Sequence, residues 1–209
     1  MKKYPLLFAF LLLSGMVVAQ ERAITSTGDE VILYQDGTWT YADAERAAED
    51  EVPTNPKPFT KAAGNTFLLK ITTFNVGFWI NPTKWSFKKA ASNDDAEYEL
   101  QLKGEDLYGM IITEQTEIPL ETMRMIAVEN AKDIAPDVRI VEEEYRTVNG
   151  TTVMMLKMHA TMQGIKIGYY SYYYSNERGT VQFVTYTSQS LLKTYEQEIE
   201  GLLNGLVVL

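Results

Sequence analysis

Hydrophobic and polar residues alternate with a period of two in several stretches of the chain. Tyr98, Leu100 and Leu102 are separated by charged or amide side chains, which predicts a strand with one face in the core and one in water. Residues 151–162 follow the same rule. The residues of this run that share one face are Met154, Leu156, Met158, Ala160 and Met162. We expect that face to form the core, and the opposite face, which carries His159, to be in contact with solvent.

Two other stretches repeat their apolar residues every three to four positions, which is the spacing of one helix face. The first begins after Pro119 and stops before Pro136, with Glu121 in its first turn. The residues on its stripe are Leu120, Met123, Ala127, Asn130, Ala131 and Ile134. The stripe near the C-terminus contains Leu192, Tyr195, Ile199, Leu202, Leu203 and Leu206. The spacing therefore predicts two helices, each with one buried face.

Turn residues separate the predicted strands. Asn149-Gly150 and Asp36-Gly37 each lie between β-rich runs, and such pairs accept the positive φ angles of tight hairpin turns. A further strand over residues 23–27 precedes the second of these hairpins. The order of the elements predicts an α+β fold: an antiparallel β-meander sheet packed with two main helices, preceded by a small N-terminal β-hairpin module.

The composition divides the chain into four parts. Residues 1–19 form an export signal, and residues 20–41 form the hairpin module. Residues 42–63 are acidic and then rich in proline, which indicates a linker. Residues 64–209 form the α+β domain.

The N-terminus has the pattern of a secretory signal peptide. Lys2 and Lys3 precede an apolar run that ends in small residues, and Ala19 fits the cleavage rule. The apolar run is shorter than the roughly 20 residues that cross a bilayer, which favours a cleaved signal over an anchor. Because no cysteine follows it, a lipoprotein anchor is excluded. We expect a periplasmic or secreted protein that has no integral membrane span after cleavage.

Composition excludes several classes of function. The 209 residues include no cysteine and one histidine, so disulfides, a thiol nucleophile and cysteine-ligated metals are ruled out. The net charge of −9 disfavours a nucleic-acid partner, because binding to the many phosphates of a nucleic-acid backbone requires clustered lysine and arginine. Cleavage of the signal removes Lys2 and Lys3 and no acidic residue, which makes the exported chain more acidic still.

From about residue 75 to the C-terminus, the chain resembles the PsbP-like and DcrB-like fold. The matching features are the Asn-Pro-x-x-Trp segment at Asn81, Pro82 and Trp85, the Asn149-Gly150 turn and the ending at residues 198–203. This resemblance implies a small exported accessory protein that binds larger assemblies and mostly lacks chemistry of its own. Residues 33–41, with Gly37-Thr38-Trp39, are similar to an Asp-Gly-Thr-Trp hairpin of exported bacterial proteins, which implies an envelope setting.

The most distinctive motif is a run of tyrosines at positions 169–174. Alternation sends Tyr170, Tyr172 and Tyr174 to one face of a strand and Tyr169 and Tyr173 to the other. An exposed tyrosine row suits protein or glycan recognition, so we assign binding to the face of Tyr170. The alternative is that helices cover both rows.

Other candidate residues have weaker patterns. Trp79 and Trp85 are candidate binding residues, with a core position as the alternative. His159 could act as a base or ligand, but no partner is predictable from its spacing. Glu143 points away from Glu142 and Glu144 in a strand, so this run cannot form one metal shell. We assign no catalytic residue, metal ligand or cofactor.

These patterns lead to a functional hypothesis with two alternatives. The main hypothesis is a non-catalytic exported accessory protein that recognises an envelope protein or cell-wall polymer through a tyrosine-rich sheet face. One alternative is a small periplasmic hydrolase whose carboxylates come together only in the fold. The other is a carrier of a small apolar ligand between sheet and helices, suggested by methionines such as Met123 and Met154. The sequence does not indicate the oligomeric state.

Overall fold

A computed structural model describes residues 21–25, 28–35, 37–43, 51–71, 74–91 and 95–209. It divides into two compact units, Met1–Asp50 and Glu51–Leu209. The predicted signal peptide, the Asp36 turn position and much of the acidic part of the predicted linker lie outside the described residues.

The first unit contains a three-stranded antiparallel sheet. Its strands are β1 (Glu21–Ile24), β2 (Glu30–Leu33) and β3 (Trp39–Tyr41), in that spatial order. Leu33 pairs with Trp39, so β2 and β3 form the hairpin that the sequence predicts. β1 begins at Glu21, two residues before the predicted start.

The second unit is built on an eight-stranded sheet. Its strands are β4 (Thr54–Phe59), β7 (Trp85–Lys89), β8 (Ala96–Leu102), β9 (Leu107–Glu114), β10 (Arg139–Val148), β11 (Thr151–Met162), β12 (Ile165–Asn176) and β13 (Gly179–Ser188). The spatial order is β4-β10-β11-β12-β13-β9-β8-β7. Strands β10 to β13 run as a meander, but β9 returns beside β13 and β4 pairs in parallel with β10. The α+β class is therefore confirmed, whereas the sheet is mixed and is not the simple meander that we predicted.

Part of the predicted linker belongs to this sheet. β4 lies within residues 42–63, and its Phe59 pairs with Val148 of β10. The linker prediction is wrong over Thr54–Phe59. Proline has no N–H group to donate, and it is therefore tolerated in a strand at the edge of a sheet, which is where β4 lies. Pro56 and Pro58 both lie in β4.

A second, smaller sheet closes one side of the domain. It consists of β5 (Phe67–Ile71), β6 (Val76–Ile80) and β14 (Leu206–Val208), in the order β14-β6-β5. A 3-10 turn (Gln189–Leu191) and the helix α2 (Glu196–Leu203) precede β14. The predicted C-terminal helix is shorter than its stripe, because Leu206 pairs with Phe78 as part of a strand.

The large sheet is buried on both faces in its centre. The helix α1 (Leu120–Ile134) lies between Pro119 and Pro136, as the sequence predicts. Its Met123 and Ala127 pack on Met154 and Leu156 of β11. On the opposite face Val153 and Met155 belong to the main core, with α2 and the small sheet. The expectation that this second face of β11 contacts solvent is therefore wrong, because α2 and the small sheet cover it.

Met123 and Met154 fill the contact between α1 and the sheet, so the methionines suggested as a carrier site are core residues. In the part of the chain that the structure describes, no helix is long and apolar enough to cross a membrane.

Candidate functional site

The predicted binding tyrosines lie in the core. Tyr170 and Tyr172 have no exposed surface, and Tyr174 is 8% exposed. All three belong to the core between the large sheet and α2. The exposed recognition face that we assigned to them is wrong, because alternation fixes the side of a residue and cannot tell what covers that side. The alternative, that helices cover both rows, holds only in part, because α2 and the small sheet cover this row whereas Tyr169 on the other face is partly exposed.

A buried arginine joins these tyrosines to α2. Arg146 of β10 donates through Nη1 to the hydroxyl oxygens of Tyr170 at 2.6 Å and Tyr172 at 2.9 Å. The same nitrogen lies 3.2 Å from Glu200 of α2. Its Nε donates to Glu144, which also accepts from the side chain of Asn55 on β4 at 3.0 Å. The guanidinium therefore connects the sheet, its edge strand and the helix.

The tyrosine hydroxyls extend this network. Tyr170 donates to Glu200 at 2.8 Å, and Tyr172 donates to the side-chain oxygen of Asn204, the residue that follows α2, at 2.9 Å. The ring of Phe59 lies beneath the guanidinium of Arg146, with 4.5 Å between its centroid and Cζ. The charge is thus paired, hydrogen-bonded and in contact with an aromatic face, as a buried cation requires.

Lys157 of β11 makes a second link to α2. Its Nζ lies 2.8 Å from both Glu142 of β10 and Glu196 of α2. The ammonium also lies 4.6 Å from the ring centroid of Tyr170. We call the whole set the buried ion cluster after its buried centre at Arg146, Tyr170 and Tyr172, although Glu142 and Glu196 at its edge are about half exposed. Its members are Glu142, Glu144, Arg146, Lys157, Tyr170, Tyr172, Glu196 and Glu200.

The pKa shifts in the cluster all favour these pairings. Burial raises the pKa of Tyr172 to about 12 and raises that of Tyr170 further, so both hydroxyls stay protonated at neutral pH. Burial alone would lower the pKa of Lys157, but its hydrogen bonds to Glu142 and Glu196 raise it. The same bond from Lys157 lowers the pKa of Glu196. These groups hold α2 on the sheet.

A different set of tyrosines lies on the other face of the large sheet. Tyr108, Tyr186 and Tyr169 follow one another across β9, β13 and β12, and all three are partly exposed. The rings of Tyr108 and Tyr186 are stacked with centroids 5.6 Å apart, and Tyr169 lies 6.2 Å from Tyr186. We call these three residues the outer tyrosine row. The row leaves aromatic surface partly exposed, and Tyr169 at one end of it also packs against the core cluster at the C-terminal end of α1.

Acidic residues border the outer tyrosine row. The Tyr108 hydroxyl donates to Asp106 at 3.0 Å, and this bond raises the pKa of the tyrosine. Burial and the charge of Glu99 raise the pKa of Tyr186. Glu99 pairs with Lys88 at 3.0 Å, whereas Asp106 forms no salt bridge among the described residues.

Sequence reasoning missed two members of this row. Alternation placed Tyr169 opposite Tyr170, and the structure confirms that they lie on opposite faces. The turn at residues 176–179 predicts that the strand of Tyr186 pairs with β12, as the structure confirms, whereas the sequence could not place β9 and its Tyr108 beside that strand. The available signal was the alternation within β9, where Leu107 and Ile111 are buried and Tyr108 is partly exposed.

The two tryptophans have different positions. Trp85 is buried in the main core at 3% exposure, so its assignment as a binding residue is wrong. Trp79 is partly exposed, and the ammonium of Lys61 lies 5.0 Å from its ring centroid. Its neighbour Asn65 donates to the Trp79 carbonyl at 2.9 Å, which fixes this part of β6.

The remaining candidates are separated from one another. His159 is partly buried, and its Nδ1 accepts a hydrogen bond from the side-chain amide of Gln189 at 3.0 Å. Glu143 pairs with Arg124 of α1, on the face opposite Glu142 and Glu144, as alternation predicts. Within the described ranges, no group of three acidic or histidine side chains is arranged to hold a metal ion.

Solved structures identify the fold. Cyanobacterial PsbP (CyanoP) from Synechocystis sp. PCC 6803 superimposes with a TM-score of 0.52 at 12% identity, over 71% of this chain and 95% of that one. The chain has a PsbP-like fold. The PsbP-like resemblance proposed from the sequence is thus confirmed at the level of the fold.

Two more distant structures also align. A Pseudomonas aeruginosa protein of unknown function, PA94, aligns at 12% identity and a TM-score of 0.43, over 68% of this chain and 95% of its own. LpqN, involved in cell envelope biogenesis of Mycobacterium tuberculosis, aligns at 8% identity and a TM-score of 0.37, over 75% and 81%. No family model matches the sequence, and no curated protein matches it.

Proposed function

We propose that this PsbP-like chain is a non-catalytic, exported accessory protein that binds a protein of the cell envelope. The outer tyrosine row is the observation that carries the proposal. It replaces the face of Tyr170, which α2 covers. The signal-peptide pattern at the N-terminus supports export.

The outer tyrosine row has the chemistry of a protein interface. Tyrosine presents a large, fairly rigid ring with a polar tip, and it is enriched among residues that dominate binding energy. The stacked rings of Tyr108 and Tyr186 restrict each other, so little side-chain freedom is left to lose on binding.

The charge around the row favours a basic partner. Asp106 lies at the hydroxyl of Tyr108 without a cationic partner in the described part of the chain. An arginine from another protein could stack on a tyrosine ring and pair with this carboxylate at the same time. The net charge of −9 would attract a basic surface over longer distances.

Site-specific photocrosslinking in the intact envelope tests the proposal. Benzoylphenylalanine replaces Tyr186 in one variant and Phe67 in the other. Phe67 is the matched control, because it is an exposed aromatic residue on the small sheet. We expect one protein to crosslink from position 186 and not from position 67. Equal crosslinking from both positions, or none from position 186, would contradict the proposed surface.

A further inference from the structure

A pocket with polar side chains at its rim and a largely apolar surface lies on the α2 side of the large sheet, away from the outer tyrosine row. Its volume is about 370 Å³, and it is lined by Lys166, Ser188, Gln189 and Ser190. All four side chains can donate hydrogen bonds, and none of them is a carboxylate. The volume lies within the range of small-molecule sites, roughly 300 to 1,000 Å³.

Hydrogen bonds hold the side chains of Gln189, Ser188 and Ser190 that line the pocket. Gln189 donates to Nδ1 of His159 at 3.0 Å, which holds the amide against β11. The hydroxyl oxygens of Ser188 and Ser190 lie 3.1 Å apart. The 3-10 turn (Gln189–Leu191) packs closely on β12 because residue 168 is a glycine. A Cβ at Gly168 would lie 3.0 Å from Leu192 Cδ2 and 3.4 Å from Gln189 Cα.

The electrostatics at the pocket differ from those of the rest of the chain. Lys166 is exposed and forms no salt bridge among the described residues. Arg139, opposite His159 in the sheet register, forms no salt bridge in those ranges either, although its charge acts on the carboxylate of Asp137. Burial and the charge of Arg139 lower the pKa of His159, so the ring is neutral at pH 7. The acid nearby is Asp137, whose carboxylate accepts from the Thr161 amide at 2.7 Å.

We propose that this pocket binds the phosphate group of a small phosphorylated molecule. An ammonium group and two hydroxyls are the donors that a phosphate oxygen accepts from, and a lysine supplies the compensating charge. The pocket is larger than a phosphate ion, and the remaining space would hold the organic part of the ligand. This site is independent of the protein interface proposed above.

Titration of the isotopically labelled protein tests the site. Inorganic phosphate, glycerol 3-phosphate and acetate are added separately at constant ionic strength, and the amide signals of residues 166 and 188–190 are followed by NMR. We expect saturable shifts with both phosphates, with tighter binding of glycerol 3-phosphate, and little change with acetate. Absence of saturation with either phosphate, or acetate binding as tight as that of the phosphates, would overturn the proposal.

Matched charge variants separate a site from general attraction. Lys166→Gln should weaken glycerol 3-phosphate binding at least tenfold, because a charge-assisted hydrogen bond is lost. Lys70→Gln removes the same charge from an exposed position on β5 and should leave the affinity unchanged. If Lys166→Gln and Lys70→Gln weaken glycerol 3-phosphate binding equally, the pocket is not the binding site. Ser188→Ala combined with Ser190→Ala should weaken binding several-fold without changing the urea midpoint.

Discussion

Arg146 is the residue on which the buried polar contacts of this domain converge. It is 5% exposed, and its loss would leave the hydroxyls of Tyr170 and Tyr172 and the carboxylates of Glu144 and Glu200 without their cation. Removal of one partner from a buried ion pair costs about 3 to 5 kcal/mol, because the remaining charge is uncompensated. We therefore expect Arg146→Ala to lower the free energy of unfolding by about that amount.

Urea denaturation measures this change. Arg178→Ala is the control, because Arg178 is exposed and forms no salt bridge within the described ranges. It should alter stability by less than about 0.5 kcal/mol. Equal stability of the Arg146 and Arg178 variants would mean that the buried ion cluster does not hold α2 on the sheet.

Glu196 gives the cluster a dependence on pH. The hydrogen bond from Lys157 lowers the pKa of this carboxyl below its ordinary value of 4.5. Its contribution to stability is therefore fully present above the ordinary value and is lost as the pH falls through the lowered one. We expect the stability difference between the wild-type protein and Glu196→Gln to be constant from pH 6 to 8 and to shrink below about pH 4.5.

Urea midpoints measured across this pH range test the expectation. Glu177→Gln, at an exposed turn position without an ionic partner in the described part of the chain, should match the wild-type protein at every pH. A difference for Glu196→Gln that grows as the pH falls would contradict the assigned pairing.

At the scale of elements, the turn between α2 and β14 depends on one glycine. The Gly205 carbonyl accepts from the Trp79 amide at 2.8 Å, and a Cβ at Gly205 would lie 2.0 Å from the Trp79 carbonyl oxygen. Gly205→Ala must therefore separate β14 from β6, and we expect a loss of about 2 kcal/mol or more. Thermal unfolding measures it.

Gly201 is the matched control for this substitution. It lies inside α2, and a Cβ there would meet no atom within 4 Å. Alanine is favoured over glycine in a helix interior by about 1 kcal/mol, so Gly201→Ala should leave stability unchanged or raise it. A destabilising effect at Gly201 equal to that at Gly205 would contradict the close approach described for the turn.

Elements with strong local signals could be predicted from the sequence. Pro119 and Pro136 bracket α1, and the Asn149-Gly150 turn has the positive φ angles, 48° and 83°, that its residues allow. β4 could not be predicted, because its prolines are typical of a linker and its strand conformation depends on pairing with β10. The return of β9 beside β13 is also a long-range contact without a local signal.

The site was predictable only in part for the same physical reason. Period-two alternation correctly separates Tyr169 from Tyr170, since it follows from strand geometry alone. Which face is covered depends on α2 and the small sheet, and both are distant in sequence from β12. The outer tyrosine row also requires β9 to lie beside β13, and this long-range pairing appears only in the folded sheet.

The two faces of the large sheet in this PsbP-like fold differ in what covers them. The face under α2 is held by paired charges, and the opposite face leaves Tyr108, Tyr169 and Tyr186 partly exposed. The formal net charge of −9 would attract a basic partner such as the one proposed. We propose that an envelope protein binds to the outer tyrosine row.

Once crosslinking has identified the partner, its affinity for variants of this chain can be measured with both proteins purified. We predict that Tyr108→Ser combined with Tyr186→Ser weakens its binding at least thirtyfold, which corresponds to about 2 kcal/mol, the cost of losing an interface hot spot. Phe67→Ser, on the small sheet, should leave the affinity unchanged while the far-ultraviolet circular dichroism of both variants stays native. An affinity that the double tyrosine variant retains in full would contradict the account.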